Sequence, residues 1–222
     1  MRPHMSVSPD ADCRLCGLCE GRTTIVLPDG DLTSRVVFVG EAPGENEDLQ
    51  GRPFVGKSGK ILENAMDAAG ISRSDVMITN TVKCRPPGNR DPKPDEMATC
   101  RPFLESELAG RALVVGLGKS AIRDLIGYDG KMSDVVNRVT ELEIGGTSVD
   151  FLPTYHPAAC IYNKSARTAL AEAMETLKQE CSYLFQTETP PPYARGTGAA
   201  APEDHKGPAS LADALLQKFE RK

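Results

Sequence analysis

The chain has 222 residues, 40% of them apolar, with a net charge of -5. That suits one α/β domain with tails and excludes a protein coated in positive charge, so any nucleic-acid contact must come from a local basic face. No apolar run approaches the roughly 20 residues of a membrane span and the first residues carry no hydrophobic signal core, so a cytoplasmic monomer is expected.

Seven cysteines in that compartment read as metal ligands, buried small residues or reactive thiols before disulfides. Residues 1–12 read as a flexible leader. Cys13-Arg14-Leu15-Cys16-Gly17-Leu18-Cys19 then gives two overlapping C-x-x-C units, a turn that brings two thiolates to one metal atom. Cys84 and Cys100 lie far downstream with fifteen residues between them. A zinc ribbon wants two close pairs, so a split four-cysteine iron–sulfur site fits better; the competing reading is ordinary burial. Cys160 and Cys181 stand in other contexts and read as structural.

Residues 35–39 (Arg-Val-Val-Phe-Val) are a buried strand by length and β-branched content. Residues 40–59 follow as one long glycine-rich loop with four acids and Phe54, and loops of that length inside a compact domain are usually functional. Ser58 is the expected N-cap of the next helix, whose apolar positions Ile61, Leu62, Ala65, Met66 and Ala69 recur at helical spacing until Gly70. Residues 76–80 are the second strand. Residues 83–94 hold four prolines and four cations, an exposed basic loop, before a helix over 94–108. Residues 112–116 and 149–153 are the third and fourth strands, and a last helix is expected over 165–185. Strands alternating with helices predict a three-layer α/β/α domain over residues 13–186, with a central, mostly parallel four-stranded sheet. Its functional residues should gather at the strand carboxyl ends, where Glu41, Asn80, Gly116 and His156 fall.

From Thr187 the composition turns to Pro, Gly and Ala, a flexible tail. Residues 211–219 read as a short amphipathic helix, docking on the domain or on a partner. That segment lacks the paired aromatics of a sliding-clamp motif, which makes a sliding clamp the weakest of the partner expectations.

Gly51-Arg52-Pro53-Phe54-Val55-Gly56-Lys57-Ser58 matches the P-loop pattern. A phosphate cradle needs successive backbone N–H groups directly after a strand. Pro53 supplies none, and the preceding strand ends near Gly40. His156, the one histidine outside the tails, is pinned by Pro157 and can donate to a developing anion. Asn80 both donates and accepts, which suits reading a base edge. Phe54, if not simply core, offers a stacking face worth roughly 1–3 kcal/mol per base.

Gly40-Glu41-Ala42-Pro43-Gly44, Glu47-Asp48, residues 51–56, Ile78-Thr79-Asn80, Lys83-Cys84-Arg85-Pro86-Pro87 and His156-Pro157 together resemble the family 4 uracil-DNA glycosylases, the iron–sulfur branch of their superfamily, over roughly residues 13–180. The resemblance implies a uracil-DNA glycosylase-like fold and a DNA-repair enzyme that flips uracil out of single- or double-stranded DNA and hydrolyses its N-glycosidic bond. It assigns stacking to Phe54, edge reading to Asn80 and anion stabilisation to His156. It also assigns backbone N–H groups near Glu41 and Ala42 to the base, exclusion of the thymine methyl to Glu47, and a [4Fe-4S] cluster to Cys13, Cys16, Cys84 and Cys100, with Cys19 an alternative ligand. In the best-known uracil glycosylases a water-steering aspartate follows the residue matching Glu41. Ala42 stands there in this chain, leaving Glu41 and Asn89 as candidates. A related branch traps DNA through a histidine in the basic loop, and residues 83–100 contain none. Turnover is therefore expected over a uracil- or single-strand-binding protein. Lys57, Lys83, Arg85, Arg90 and Lys93, with Lys164 and Arg167, are the expected phosphate contacts.

Overall fold

The structure, a computed structural model, describes residues 8–180 together with 184 and 185. Cys181, the proposed tail and most of the leader lie outside them. The apolar runs pair as expected: β2 (Val36–Gly40), β3 (Met77–Asn80), β4 (Leu113–Leu117) and β6 (Thr147–Thr154) lie parallel to one another. The sheet has six strands rather than four, in the order β1-β3-β2-β4-β6-β5. Both additions are antiparallel edges. β1 (Asp29–Gly30) is only two residues long, too short to leave a periodic signal. β5 (Thr140–Ile144) forms a hairpin with β6 across Gly145-Gly146, burying Leu142 and Ile144 while its glutamates face out; that alternation and that glycine pair are a legible hairpin.

β2, β3 and β4 are buried along their whole length because helices cover both faces. On one face Leu62 and Met66 of α2 (Lys57–Ala68) and Leu170, Met174 and Leu177 of α6 (Lys164–Glu180) pack on Val36, Phe38 and Ile78. On the other, Leu104 and Leu108 of α3 (Pro94–Leu108) and Ile122 and Leu125 of α4 (Lys119–Ile126) pack on Val37, Val39 and Val114. Each such fully buried large side chain contributes about 1.5–3 kcal/mol. A smaller cluster, Leu18, Val82, Cys84, Cys100 and Phe103, joins the N-terminal cysteine segment to α3.

Two local readings change. The stretch after β2 is not all loop: α1 (Glu45–Gln50) forms within it and ends on Gly51 in the left-handed conformation. The P-loop match therefore connects two helices, and no strand feeds it. The N-cap of α2 is Gly56, not Ser58, and no cap side chain bonds there; the carboxylate of Glu47 accepts the N–H of Val55 at 2.9 Å and of Gly56 at 2.8 Å instead. α5 (Met132–Val135) is a single turn. No helix among the described residues is long and apolar enough to cross a membrane.

Candidate active site

Parallel strands place their carboxyl ends along one rim, and an open cavity of about 670 Å³ lies there. Its walls include Ala42, Glu47, Phe54, Asn80, Asn89 and His156, each from a different element or turn. Asn80 closes β3 opposite Gly40 of β2 and is 3% exposed. Gly40 has no freedom to be anything else. A Cβ there would lie 2.5 Å from Asn80 Oδ1 and 2.6 Å from the Phe54 ring, so the bare backbone makes room for both side chains.

Phe54 has a φ of 52°, left-handed for a bulky residue. Such a conformation costs on the order of 1–3 kcal/mol and persists only where surroundings impose it. Gly59 allows it: a Cβ there would come 1.8 Å from the Phe54 carbonyl oxygen. The guanidinium of Arg73 donates to the Pro53 carbonyl at 2.5 Å and to the Phe54 carbonyl at 3.3 Å. The Phe54 and His156 rings stand 5.8 Å apart, tilted by 34°.

His156 follows β6 and opens the 3-10 turn Pro157–Ile161. Its Nδ1 accepts the N–H of Ala158 at 3.1 Å, which fixes the neutral tautomer with the proton on Nε2. Burial pushes its pKa down to about 4, with the nearby Glu47 carboxylate pulling weakly the other way. The ring is thus an uncharged donor at neutral pH.

Glu41 and Asn89 separate in space. The Glu41 carboxyl lies beside Ser120 and Asp91, outside the cavity wall; burial raises its pKa, Ser120 opposes and Asp91 adds to the rise. Its backbone is held by the Val82 N–H at 3.2 Å and the Thr81 hydroxyl at 2.7 Å, both donating to the Glu41 carbonyl. Asn89, left-handed at φ 54°, faces the cavity. Arg85 Nε donates to its Oδ1 at 2.7 Å, and since arginine only donates, that oxygen is fixed in place with a second lone pair to spare.

Among the expected phosphate contacts, Lys83 is withdrawn. It is 1% exposed, and its ammonium donates to Glu107 at 2.6 Å, Thr79 Oγ1 at 2.8 Å and the Asn80 carbonyl at 2.6 Å. The chain turns inward at this cation, which a count of charges in a proline-rich loop does not register. Arg90 is forked onto Glu96 by bonds of 2.8 and 2.6 Å, and Arg167 onto the Cys160 carbonyl. Lys57 lines the cavity and is exposed, as are Lys93 and Lys164, while Arg85 is half-buried.

Cys13, Cys16, Cys84 and Cys100 line a second, nearly closed cavity with Arg22, Lys83 and Phe103. Arg22 approaches Cys84 Sγ at 3.6 Å, and burial pushes the Cys84 thiol up to about 11. No three donors among the described residues converge closely enough to hold a single metal ion. The cavity itself is only about 10 Å³; four cysteine sulfurs around it are the donor type that iron–sulfur clusters take. Cys19 stays out of that wall, and Cys160 is buried in the core under α6.

Two connections escaped the sequence reading. Asp48, 2% exposed, accepts the N–H groups of Thr23 and Thr24 at 2.9–3.2 Å, which fastens the cysteine segment to α1. Glu107 holds Lys83. Neither leaves a sequence signal beyond an acid on a helix.

Fold and cavity define a class, doubly wound α/β proteins with an open ligand cavity at the carboxyl ends of the parallel strands. Residues 27–178 match the Uracil DNA glycosylase superfamily. A type-4 uracil-DNA glycosylase of Thermotoga maritima is 40% identical over 75% of this chain and 88% of its own. Those of Saccharolobus solfataricus and Archaeoglobus fulgidus are each 38% identical, over 77% and 76% of this chain and 82% and 88% of theirs. The chain belongs to the uracil-DNA glycosylase superfamily, in its type-4 branch.

Proposed function

We propose that the protein removes uracil from DNA by hydrolysing the N-glycosidic bond, leaving an abasic site and an unbroken strand. The observation that supports this reading most directly is the convergence of Phe54, Asn80 and His156 on one cavity, with His156 held as the Nε2–H tautomer. The target nucleotide leaves the stack; Phe54 covers one face of the ring and the Asn80 amide pairs with its polar edge. As the glycosidic bond lengthens, negative charge grows on uracil and the sugar becomes cationic. The Nε2–H of His156 donates to the O2 side of that anion, in a place where a preorganised donor is worth several kcal/mol. A neutral imidazole strengthens this bond as charge develops and gives up no proton.

Glu47 lies against the C5 side, its Oε1 already held by two backbone N–H groups, so it is a fixed wall against a methyl group. Asn89 is the group placed to hold the attacking water; Glu41 contributes through its backbone. Cys13, Cys16, Cys84 and Cys100 would hold a [4Fe-4S] cluster, which supplies a cross-link between the N-terminal segment and residues 84–100 and no redox step. Lys57, Arg85, Lys93 and Lys164 contact phosphates of uracil-containing DNA, and the protein works as a cytoplasmic monomer.

The test is excision from a uracil-containing oligonucleotide, read by alkaline cleavage of the abasic product, for the wild type beside His156→Ala and Asn80→Ala. Multiple turnover by the wild type, with rates reduced at least 100-fold in both variants, is expected. Retention of uracil-DNA without product by folded, cluster-loaded wild type would replace the enzyme with a binding protein.

A further inference from the structure

We propose that Arg73, which does not line the cavity, is a positioning residue for uracil excision: it holds the Pro53-Phe54 turn in its left-handed form and thereby sets the stacking face. The inference rests on the reading of Phe54 as the floor of the uracil site. Phe54 adopts a backbone conformation that bulky residues avoid. Gly59 permits that conformation by lacking a Cβ, but permission is not a restraint. The restraint is Arg73, whose guanidinium donates to the two successive carbonyls of Pro53 and Phe54. Two bonds from one planar fork fix the orientation of that turn as one bond could not.

The fork is itself held. Arg73 Nε donates to Asp29 Oδ2 at 2.7 Å, and Asp29 also takes Arg52 at 3.2 and 3.0 Å. Asp29 sits on the edge strand β1, paired with Ile78 two residues before Asn80. Arg73 opens a 3-10 turn that Ser72 and Asp75 cap reciprocally. Gly30, beside Asp29, packs so tightly on the Val76 and Arg73 carbonyls that a Cβ there would meet them at 2.2 and 2.8 Å. An edge strand of two residues thus acquires a purpose: it carries the carboxylate that aims Arg73, and Arg73 aims Phe54.

Arg73→Met keeps the aliphatic body and leaves Asp29 paired with Arg52, so no buried charge is orphaned. Arg73→Lys restores one donor nitrogen without the planar fork. Single-turnover excision should fall at least tenfold in Arg73→Met and recover partly in Arg73→Lys. In a Phe54→Ala background, Arg73→Met should cost less than twofold. A crystal structure of Arg73→Met should show Phe54 relaxed to a negative φ, a readout independent of activity. Wild-type excision by Arg73→Met, an undiminished loss in the Phe54→Ala background, or Phe54 still left-handed in the variant crystal would each overturn the assignment. If the wild type itself makes no abasic product while Phe54 relaxes in Arg73→Met, the enzymatic reading fails and Arg73 stands only as the restraint on the Phe54 turn.

Discussion

At neutral pH His156 carries one ring proton, and its hydrogen bonding shows which nitrogen bears it. The Ala158 N–H occupies Nδ1, so Nε2–H is the tautomer, and burial holds the pKa near 4. Nitrogen-resolved NMR should show that tautomer at pH 7 and a titration near pH 4. The unfolded chain takes up this proton near pH 6.5 and the folded one near 4, so between those values the unfolded state binds more protons and stability is lost as pH falls. The loss approaches about 3 kcal/mol by pH 4, measured as the pH dependence of unfolding in the wild type against His156→Ala, where it should vanish. The other residue-scale prediction concerns space. Gly40→Ala drives a methyl group into both Asn80 and Phe54, so excision should fall at least 100-fold while near-native secondary structure persists by circular dichroism.

One element joins the cavity to the thiol site. Lys83 follows β3, bonds back to the Asn80 carbonyl and pairs with Glu107 on α3. Breaking a buried pair strands a charge, whereas replacing both partners by apolar groups of similar size is often neutral. Lys83→Met should therefore cost about 3–5 kcal/mol, and Lys83→Met/Glu107→Met should recover most of it, as followed by urea unfolding. This element also marks where sequence stops being a guide. The four parallel strands announce themselves because apolar runs must be buried on both faces, and the strand-end rule alone places Asn80 and His156 on one rim. The inward course of Lys83 could not be read, because cations in a proline-rich segment look solvated until the partner on a distant helix is known. Nor could the bond from Arg73 to the turn at Phe54, which depends on a tertiary approach between residues nineteen and twenty positions apart. α1 was hidden for a different reason: four of its six residues are Glu, Asn or Asp, and it carries no apolar stripe.

For the whole molecule, the net charge of -5 means that the proposed grip on DNA must come from a local set of cations. Of the seven cations first expected at the backbone, Lys83 serves Glu107, Arg90 serves Glu96 and Arg167 serves the Cys160 carbonyl, which leaves Lys57, Arg85, Lys93 and Lys164. Four phosphate contacts give a slope of log K against log salt of about -2.8 to -3.6, whereas seven would give roughly -4.9 to -6.3. Fluorescence anisotropy on uracil-containing DNA across a salt series separates the two. Lys57→Ala should lower the slope by a little under one, and Lys83→Met/Glu107→Met should leave it unchanged. Chelation of the proposed [4Fe-4S] cluster should weaken the grip without altering the cavity walls contributed by β2, β3 and β6. It would free residues 84–100, and with them Arg85 and Lys93, from the N-terminal segment that Asp48 fastens to α1. In hydrogen exchange that stretch should open first, and the salt slope of the stripped protein should drop toward that of Lys57 and Lys164 alone. A stripped protein with the full slope would mean that the cations reach DNA without the thiol site to hold them.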